Sequence, residues 1–237
     1  MEPQLWLNRE EFRVYRYGVA KAIADNSFVP SDIPEGCVPI HLNLVITLLE
    51  WMDDAELYIL KGYGNSLNYR MAVPLLKDVV ESMKQAIQAK EKKRTPGSYE
   101  KERLRFAHAK TLLPFSCLLG LFLERSGETF RHQFEQIQKE QRGRLPQVPP
   151  QKRKWRGSTM VPFASNNMLI LYSCPATEKS TSSYFVQVLH NEHPVPMPAC
   201  HHFDFCAFEV FRETVYGPHE KHKFYTLCNG KGEHTGD

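Results

Sequence analysis

Residues Pro39–Val45, "PIHLNLV", set a short apolar run behind a proline, with Ile40, Leu42, Leu44 and Val45 as its hydrophobic members. A run of this length bounded by proline reads as a buried β-strand. In an α/β protein such a strand ends in a loop that carries chemistry. Here no Gly, Ser, Asp or Asn follows Val45, and the chain passes directly into "ITLLEW", Ile46–Trp51. A leading strand without its loop restricts both the topology and the chemistry open to the chain.

Downstream, "LEWMDDAELYILKGYGNSLNY" alternates short apolar runs with Gly62 and Gly64, and is expected to form a short strand or helix end followed by a loop. Residues 74–93 carry the clearest helical period. Leu75, Leu76, Val79, Val80, Met83 and Ile87 share one stripe, and Lys77, Asp78, Glu81, Lys84 and Gln88 face outward. Pro74 suits the first turn, and Pro96-Gly97 marks the turn beyond the end. "RLRFAHAK", Arg103–Lys110, alternates as a strand does and feeds an apolar helix over 111–124. "NMLILYSC" (167–174) and "SYFVQVLHNEHPV" (183–195) read as two strands joined as a hairpin through "PATEKSTS". "FDFCAFEVFRETV" reads as a short amphipathic helix. The order predicts an α/β fold: a mainly parallel sheet flanked by helices, with an antiparallel edge. The expected organisation is a lead-in over 1–38, one α/β domain over 39–228 and a tail over 229–237.

The 237 residues suffice for one ordinary domain with a real core. A net charge of +3 is too mild to argue for nucleic acid, and no aromatic-plus-basic RNA motif or zinc-finger spacing is present. The Pro-rich stretch 126–158 holds eight Lys/Arg against three Glu, and reads as a solvated loop or as a basic lip facing anions. "TLLPFSCLLGLFL", Thr111–Leu123, is too short to span a bilayer, so no transmembrane segment is expected. The first residues, "MEPQLWLNREEFRVYRYG", lack an apolar signal core, so no secretory signal is expected in the chain as written. Three of the six cysteines nonetheless crowd the last forty residues, which hints at an oxidising compartment.

Three stretches could carry chemistry. In "FAHAKTLLPF", His108 stands where a strand is expected to end and a helix to begin near Thr111. Main-chain N–H groups and the positive end of the helix dipole, with Lys110 beside them, make a phosphate pocket there plausible; a structural histidine is the competing reading. In "CHHFDFC", Cys200–Cys206, with His219, His222 and Cys228 nearby, the ligands are dense enough for zinc. The spacing fits no familiar zinc module, however, and a disulfide or reduced thiols are the alternatives, so no metal is assigned. In "LKGYGNSLNYR", two glycines with Lys61 and Arg70 could border a phosphate, or form an ordinary turn.

Taken together, these stretches resemble the histidine acid phosphatases, and closely the plant type of multiple inositol polyphosphate phosphatase. The matching text is "LEWMDDAELYILKGYG", "NYRMAVPLLKDVVESM", "LRFAHAKTLLPFSCLLGLFLE", "VPFASNNMLILYSCP", "SSYFVQVLHNEHPVPMPAC" and "FDFC", spread over roughly residues 48–228. "RYGVAKAIADNSFVPSDIPEGCVPIHLNLV" resembles the family's N-terminal segment up to Val45. The resemblance implies hydrolysis of phosphomonoesters of inositol polyphosphates, such as phytate, through a phosphohistidine, without a cofactor. In that family the nucleophilic histidine lies in an Arg-His-Gly-x-Arg-x-Pro loop directly after the first strand, where the arginines clamp phosphate. A later His-Ala-Glu motif supplies a second phosphate-binding histidine and the acid, and a largely helical domain covers the pocket.

This chain departs from that pattern twice. After "HLNLV" it continues with "ITLLEW", so Val45–Ile46 reads as a junction at which the nucleophile loop and much of the helical cap are missing. The only nearby imitation, Arg16-Tyr17-Gly18, has Tyr where His is required. The family's His-Ala-Glu is His108-Ala109-Lys110 here. An ammonium with a reference pKa of about 10.4 is a poor acid near neutrality, so Lys110 does not replace the carboxylic acid. His108 carries over as a phosphate-contacting residue, and Lys61 and Arg70 as a rim for a polyanion. The expected outcome is a disarmed phosphatase whose partner is inositol polyphosphate or phosphate; the alternatives are a phosphate-binding remnant and a non-functional truncated product. The family implies a secretory, vacuolar or endoplasmic-reticulum setting, against the signal-free start.

Overall fold

The computed structural model describes residues 40–95, 97–123, 154–175 and 183–220, with side chains from Ile46 onward. The lead-in 1–38, Arg16-Tyr17-Gly18, most of the basic loop (124–153), His222, Cys228 and the tail 229–237 lie outside the described residues. In chain order the helices α1 (Ile40–Lys61), α2 (Ser66–Arg70), α3 (Val73–Glu91), α4 (Ala109–Leu118) and α5 (Gly157–Met160) come first. Strands β1 (Asn167–Ser173), β2 (Tyr184–His190) and β3 (His193–Pro194), a 3-10 turn Pro198–Cys200 and strand β4 (Phe205–Ala207) come next. Helix α6 (Phe208–Phe211), a π-helical stretch Arg212–Tyr216 and α7 (Gly217–Glu220) close the described chain. The chain divides into two compact units, one of residues 1–60 and 124–160, the other of 61–123 and 161–237.

In the first unit the expected strand 39–45 is instead the start of α1, which runs 22 residues without a break. A four- to eight-residue apolar run has no period that separates strand from buried helix. The sequence beyond the run decides between them: from Ile40 to Lys61 there is no Gly or Pro to stop helical propagation. Trp51, Ala55 and Tyr58, spaced i, i+4, i+7, fall on one helical face and are buried, with Met52 beside them. Trp155 is buried against that face, its ring edge-on to Tyr58 at 5.3 Å, and its indole N–H donates to the Asp54 carbonyl at 3.0 Å. The buried Asp54 carboxylate accepts the Gly157 N–H at 2.7 Å, tying down the start of α5. The expected short strand or helix end over 48–61 is thus continuous helix.

The second unit holds the larger core. On α3 the predicted stripe is the buried one: Leu76, Val79, Val80 and Met83 are buried, and Leu75 and Ile87 pack against the same cluster. Pro74 lies in its first turn, as the sequence implies. The hairpin also forms as expected: β1 and β2 are antiparallel, in register from Asn167↔His190 to Ser173↔Tyr184. On the other side of β2, β3 and β4 pair antiparallel. Val186, Val188 and Cys206 bury one sheet face against α3, α4 and the C-terminal helices through Phe115, Leu118, Phe208, Phe211 and Val215.

The α/β class stands, and the antiparallel edge predicted from the sequence accounts for every strand pair among the described residues. The two segments expected to supply parallel strands take other forms: 39–45 becomes α1, and Arg103–Lys110 is irregular up to His108. A strand exists only where a neighbour completes its ladder, and 103–110 pairs with no strand among the described residues. The C-terminal "FDFCAFEVFRETV" starts as strand β4 before turning helical at Phe208.

Candidate active site

α4 begins at Ala109, two residues before the start near Thr111 expected from the sequence, and ends at Leu118 instead of running to 124; its first turn is set by His108. The His108 backbone is extended (φ −99°, ψ 167°), and its carbonyl accepts N–H bonds from Thr111 (2.8 Å) and Leu112 (3.1 Å). Its imidazole makes no capping bond, so it leaves the N–H groups of Ala109 and Lys110 uncapped by its own side chain. His108 and Lys110 are exposed, and the side chain of neither makes a hydrogen bond or ion pair among the described residues. The helix has Pro114 inside it and is held by its buried face, Leu113, Phe115, Cys117 and Leu118. The Tyr63 hydroxyl, 2.7 Å from the Leu121 carbonyl and 3.1 Å from that of Cys117, caps its far end. What remains at the near end is a positive dipole terminus carrying one imidazole and one ammonium, suited to an anion.

The approach to His108 is pinned from the side. Arg103 Nη1 meets Asp78 Oδ1 at 2.7 Å, Arg105 Nε meets Asp78 Oδ2 at 2.8 Å, and Arg105 Nη2 also bonds Oδ2. Arg103 further pairs with Glu100. The bonded Arg105 guanidinium, helped by Arg103, holds the Asp78 carboxyl below its ordinary value. Both arginines are therefore occupied on α3, whereas Leu104 and Phe106, on the alternate positions shared with His108, are 79% and 95% exposed. Nothing in the sequence pattern singles out Asp78 from the other outward-facing charges of that helix.

A polar chain joins α4 to the sheet. His190 Nδ1 lies 2.7 Å from Asn167 Oδ1, Asn167 Nδ2 donates to Ser116 Oγ at 2.7 Å, and Ser116 Oγ donates to the Leu112 carbonyl at 2.9 Å. Sequence reasoning missed these residues as positioning groups. The signal was available in one respect: two polar residues, Asn167 and His190, stand opposite each other at one end of the hairpin.

Lys61 ends α1 and Arg70 ends α2, a short helix packed on α4. The glycine turn between them is built for itself: Asn68 Nδ2 donates to the Gly62 carbonyl at 3.0 Å, and Asn65 caps α2 by accepting the Leu67 N–H at 2.9 Å. Among the described glycines, only Gly97 and Gly120 have positive φ, so the 62–64 turn lacks the left-handed backbone of a phosphate nest. The zinc reading of "CHHFDFC" gives way to a disulfide between Cys200 and Cys206, which takes both thiolates out of metal binding. No cluster of three metal-ligating side chains exists among the described residues. Cys117 is no nucleophile: burial pushes its thiol far up, only partly offset by the Tyr63 contact.

The profile of the histidine phosphatase superfamily (branch 2) matches residues 2–191, and the chain belongs to that superfamily. Among curated proteins, the human multiple inositol polyphosphate phosphatase 1 is 29% identical over 63% of this chain and 28% of its own length. The Dictyostelium discoideum protein of the same name is 25% identical over 93% of this chain and 40% of its own length. The chain thus spans well under half the length of the curated relatives it matches. A solved structure, the Bifidobacterium longum multiple inositol polyphosphate phosphatase in complex with inositol hexasulfate, shares the fold. Its TM-score is 0.53 at 23% identity, over 76% of this chain and 33% of that one.

Proposed function

We propose that this chain descends from a phosphatase of inositol polyphosphates, that it holds phosphate groups at His108 and the start of α4, and that it turns them over poorly or not at all. The observation that carries this reading is α1. Helix continues unbroken through Val45–Ile46, the place where the related enzymes, on the sequence resemblance, would carry their nucleophile loop. Phosphoryl transfer to an imidazole needs a second histidine opposite the phosphate-binding one, guanidinium groups to absorb the developing charge, and an acid for the leaving alkoxide. Arg103 and Arg105, the guanidinium groups nearest His108 in sequence, are engaged by Asp78. On the sequence resemblance Lys110 stands where the acid would, and an ammonium is a much weaker proton donor than a carboxylic acid. The relatives' names and the ligand in the Bifidobacterium complex support inositol polyphosphate as the class of ligand. The plant-type subclass and the missing cap rest on the sequence resemblance and belong to this proposal.

Purified protein incubated with phytate should release no phosphate above buffer. Titration calorimetry with inositol hexakisphosphate should give heat that His108→Ala reduces. Turnover well above buffer that His108→Ala abolishes would overturn the disarmed reading. No heat at millimolar ligand would favour a product without a biochemical role, a reading that the solvent-facing Leu104 and Phe106 also favour.

A further inference from the structure

Strand β1 has an open side. Among the described residues it pairs with β2 alone. Two bonds flank that ladder in the same register: Asn191 N–H to the Asn166 carbonyl at 3.0 Å, and Cys174 N–H to the Ser183 carbonyl at 2.8 Å. Antiparallel ladders alternate. Met168, Ile170 and Tyr172 therefore exchange bonds with β2, while Asn167, Leu169, Leu171 and Ser173 aim their N–H and C=O groups at the open edge.

Edge strands are normally protected by charge, proline or a bulge. "NMLILYS" has no charged residue, no proline and no glycine over its seven residues. It is also self-complementary. Two antiparallel copies centred on Ile170 set Leu169 opposite Leu171, Asn167 opposite Ser173 and Met168 opposite Tyr172. The outward-aimed backbone groups then meet one another, polar ends meet polar ends, and no like charges are opposed. A shift by one residue would set the outward groups against residues already bonded to β2. The side chains agree. Leu169 and Leu171 already pack on the core, while Met168 and Phe205, each about half exposed, flank Ile170 and Tyr172 on the opposite face. Tyr172 and Phe205 touch edge to face at 5.4 Å. Pairing sets two such apolar strips side by side, with Met168 of each copy against Tyr172 of the other.

We infer that β1 is the pairing edge for a second copy of this chain, two copies of Asn167–Ser173 joining antiparallel about a two-fold axis at Ile170 into one continuous sheet. The test is solution mass by sedimentation and light scattering on the full chain at concentrations up to about 100 µM. All proteins carry Cys174→Ser, because the exposed Cys174 thiol could otherwise link copies covalently. The expected mass is twice the 27.5 kDa of one chain. Ile170→Lys places two ammonium groups face to face at the axis, and should return the mass to one chain with an unchanged far-UV circular dichroism spectrum. Ser173→Pro removes an outward donor at an exposed position, and should do the same if Ile170→Lys fails to fold. A single-chain mass for the parent protein throughout, or a doubled mass that survives in the folded variants, overturns the inference.

Discussion

At the scale of single residues, Asp78 best separates pattern from structure. On the helical stripe it is one more outward-facing charge; in the fold it grips two arginines that lie 25 and 27 positions away, and so fixes the approach to His108. No spacing rule reaches that far, because ion pairs between elements depend on where a loop returns. The carboxyl is held below its ordinary value in the folded state, so its contribution is present above the unfolded value of about 3.9 and lost as pH falls through the folded one. The groups are substantially solvated, so the effect is small, under about 1 kcal/mol, and weakens with salt. Asp78→Asn should therefore lower the melting temperature slightly at neutral pH in low salt. The gap to the parent should close as pH falls below the free carboxylate value and through the lowered folded one; a gap that widens in acid would refute the assignment. Trp155 illustrates the opposite kind of residue. Lying in a stretch read as loop, it is buried, stacks edge-on to Tyr58 and bonds the Asp54 carbonyl, a role that required the fold to bring it back to a helix a hundred residues earlier.

At the scale of elements, the legible ones were those with a sustained period. The α3 stripe and the β1–β2 hairpin came out where the pattern put them, because a long repeat of one face commits the chain to one geometry. The illegible ones were the short runs 39–45 and 103–110. Each suits a strand by local preference, and each lacks a partner among the described residues. Helix wins at 40–45 because it satisfies the backbone within the segment and continues into good helix-forming sequence as far as Lys61. One substitution checks this directly. If residues 40–61 form one helix, Val45→Pro removes an interior bond and costs about 3 kcal/mol, with a loss of helical circular dichroism at 222 nm. At a strand-to-loop junction the same change would leave the signal unaltered.

At the scale of the whole molecule, the disulfide shows how topology selects among chemically equal possibilities. The sequence offered three nearby cysteines and several histidines; the fold joins Cys200 to Cys206, just where β4 is laid along β2. Closing so short a loop should stabilise by about 2 kcal/mol on loop-closure arguments. Cys200→Ala combined with Cys206→Ala should lower the denaturation midpoint accordingly, and reductant should do the same to the parent but not to the double variant. An unchanged midpoint in both would show that the bridge contributes nothing. The family, the α3 face and the hairpin were determined by the sequence alone, since each rests on local period or on a contiguous motif. The capture of Arg103 and Arg105 by Asp78, the pairing of the cysteines and the open edge of β1 were decided only by the tertiary structure. Each of these depends on which distant segment arrives to share a hydrogen bond, a charge or a covalent bond, and a short stretch of sequence carries no record of its neighbour.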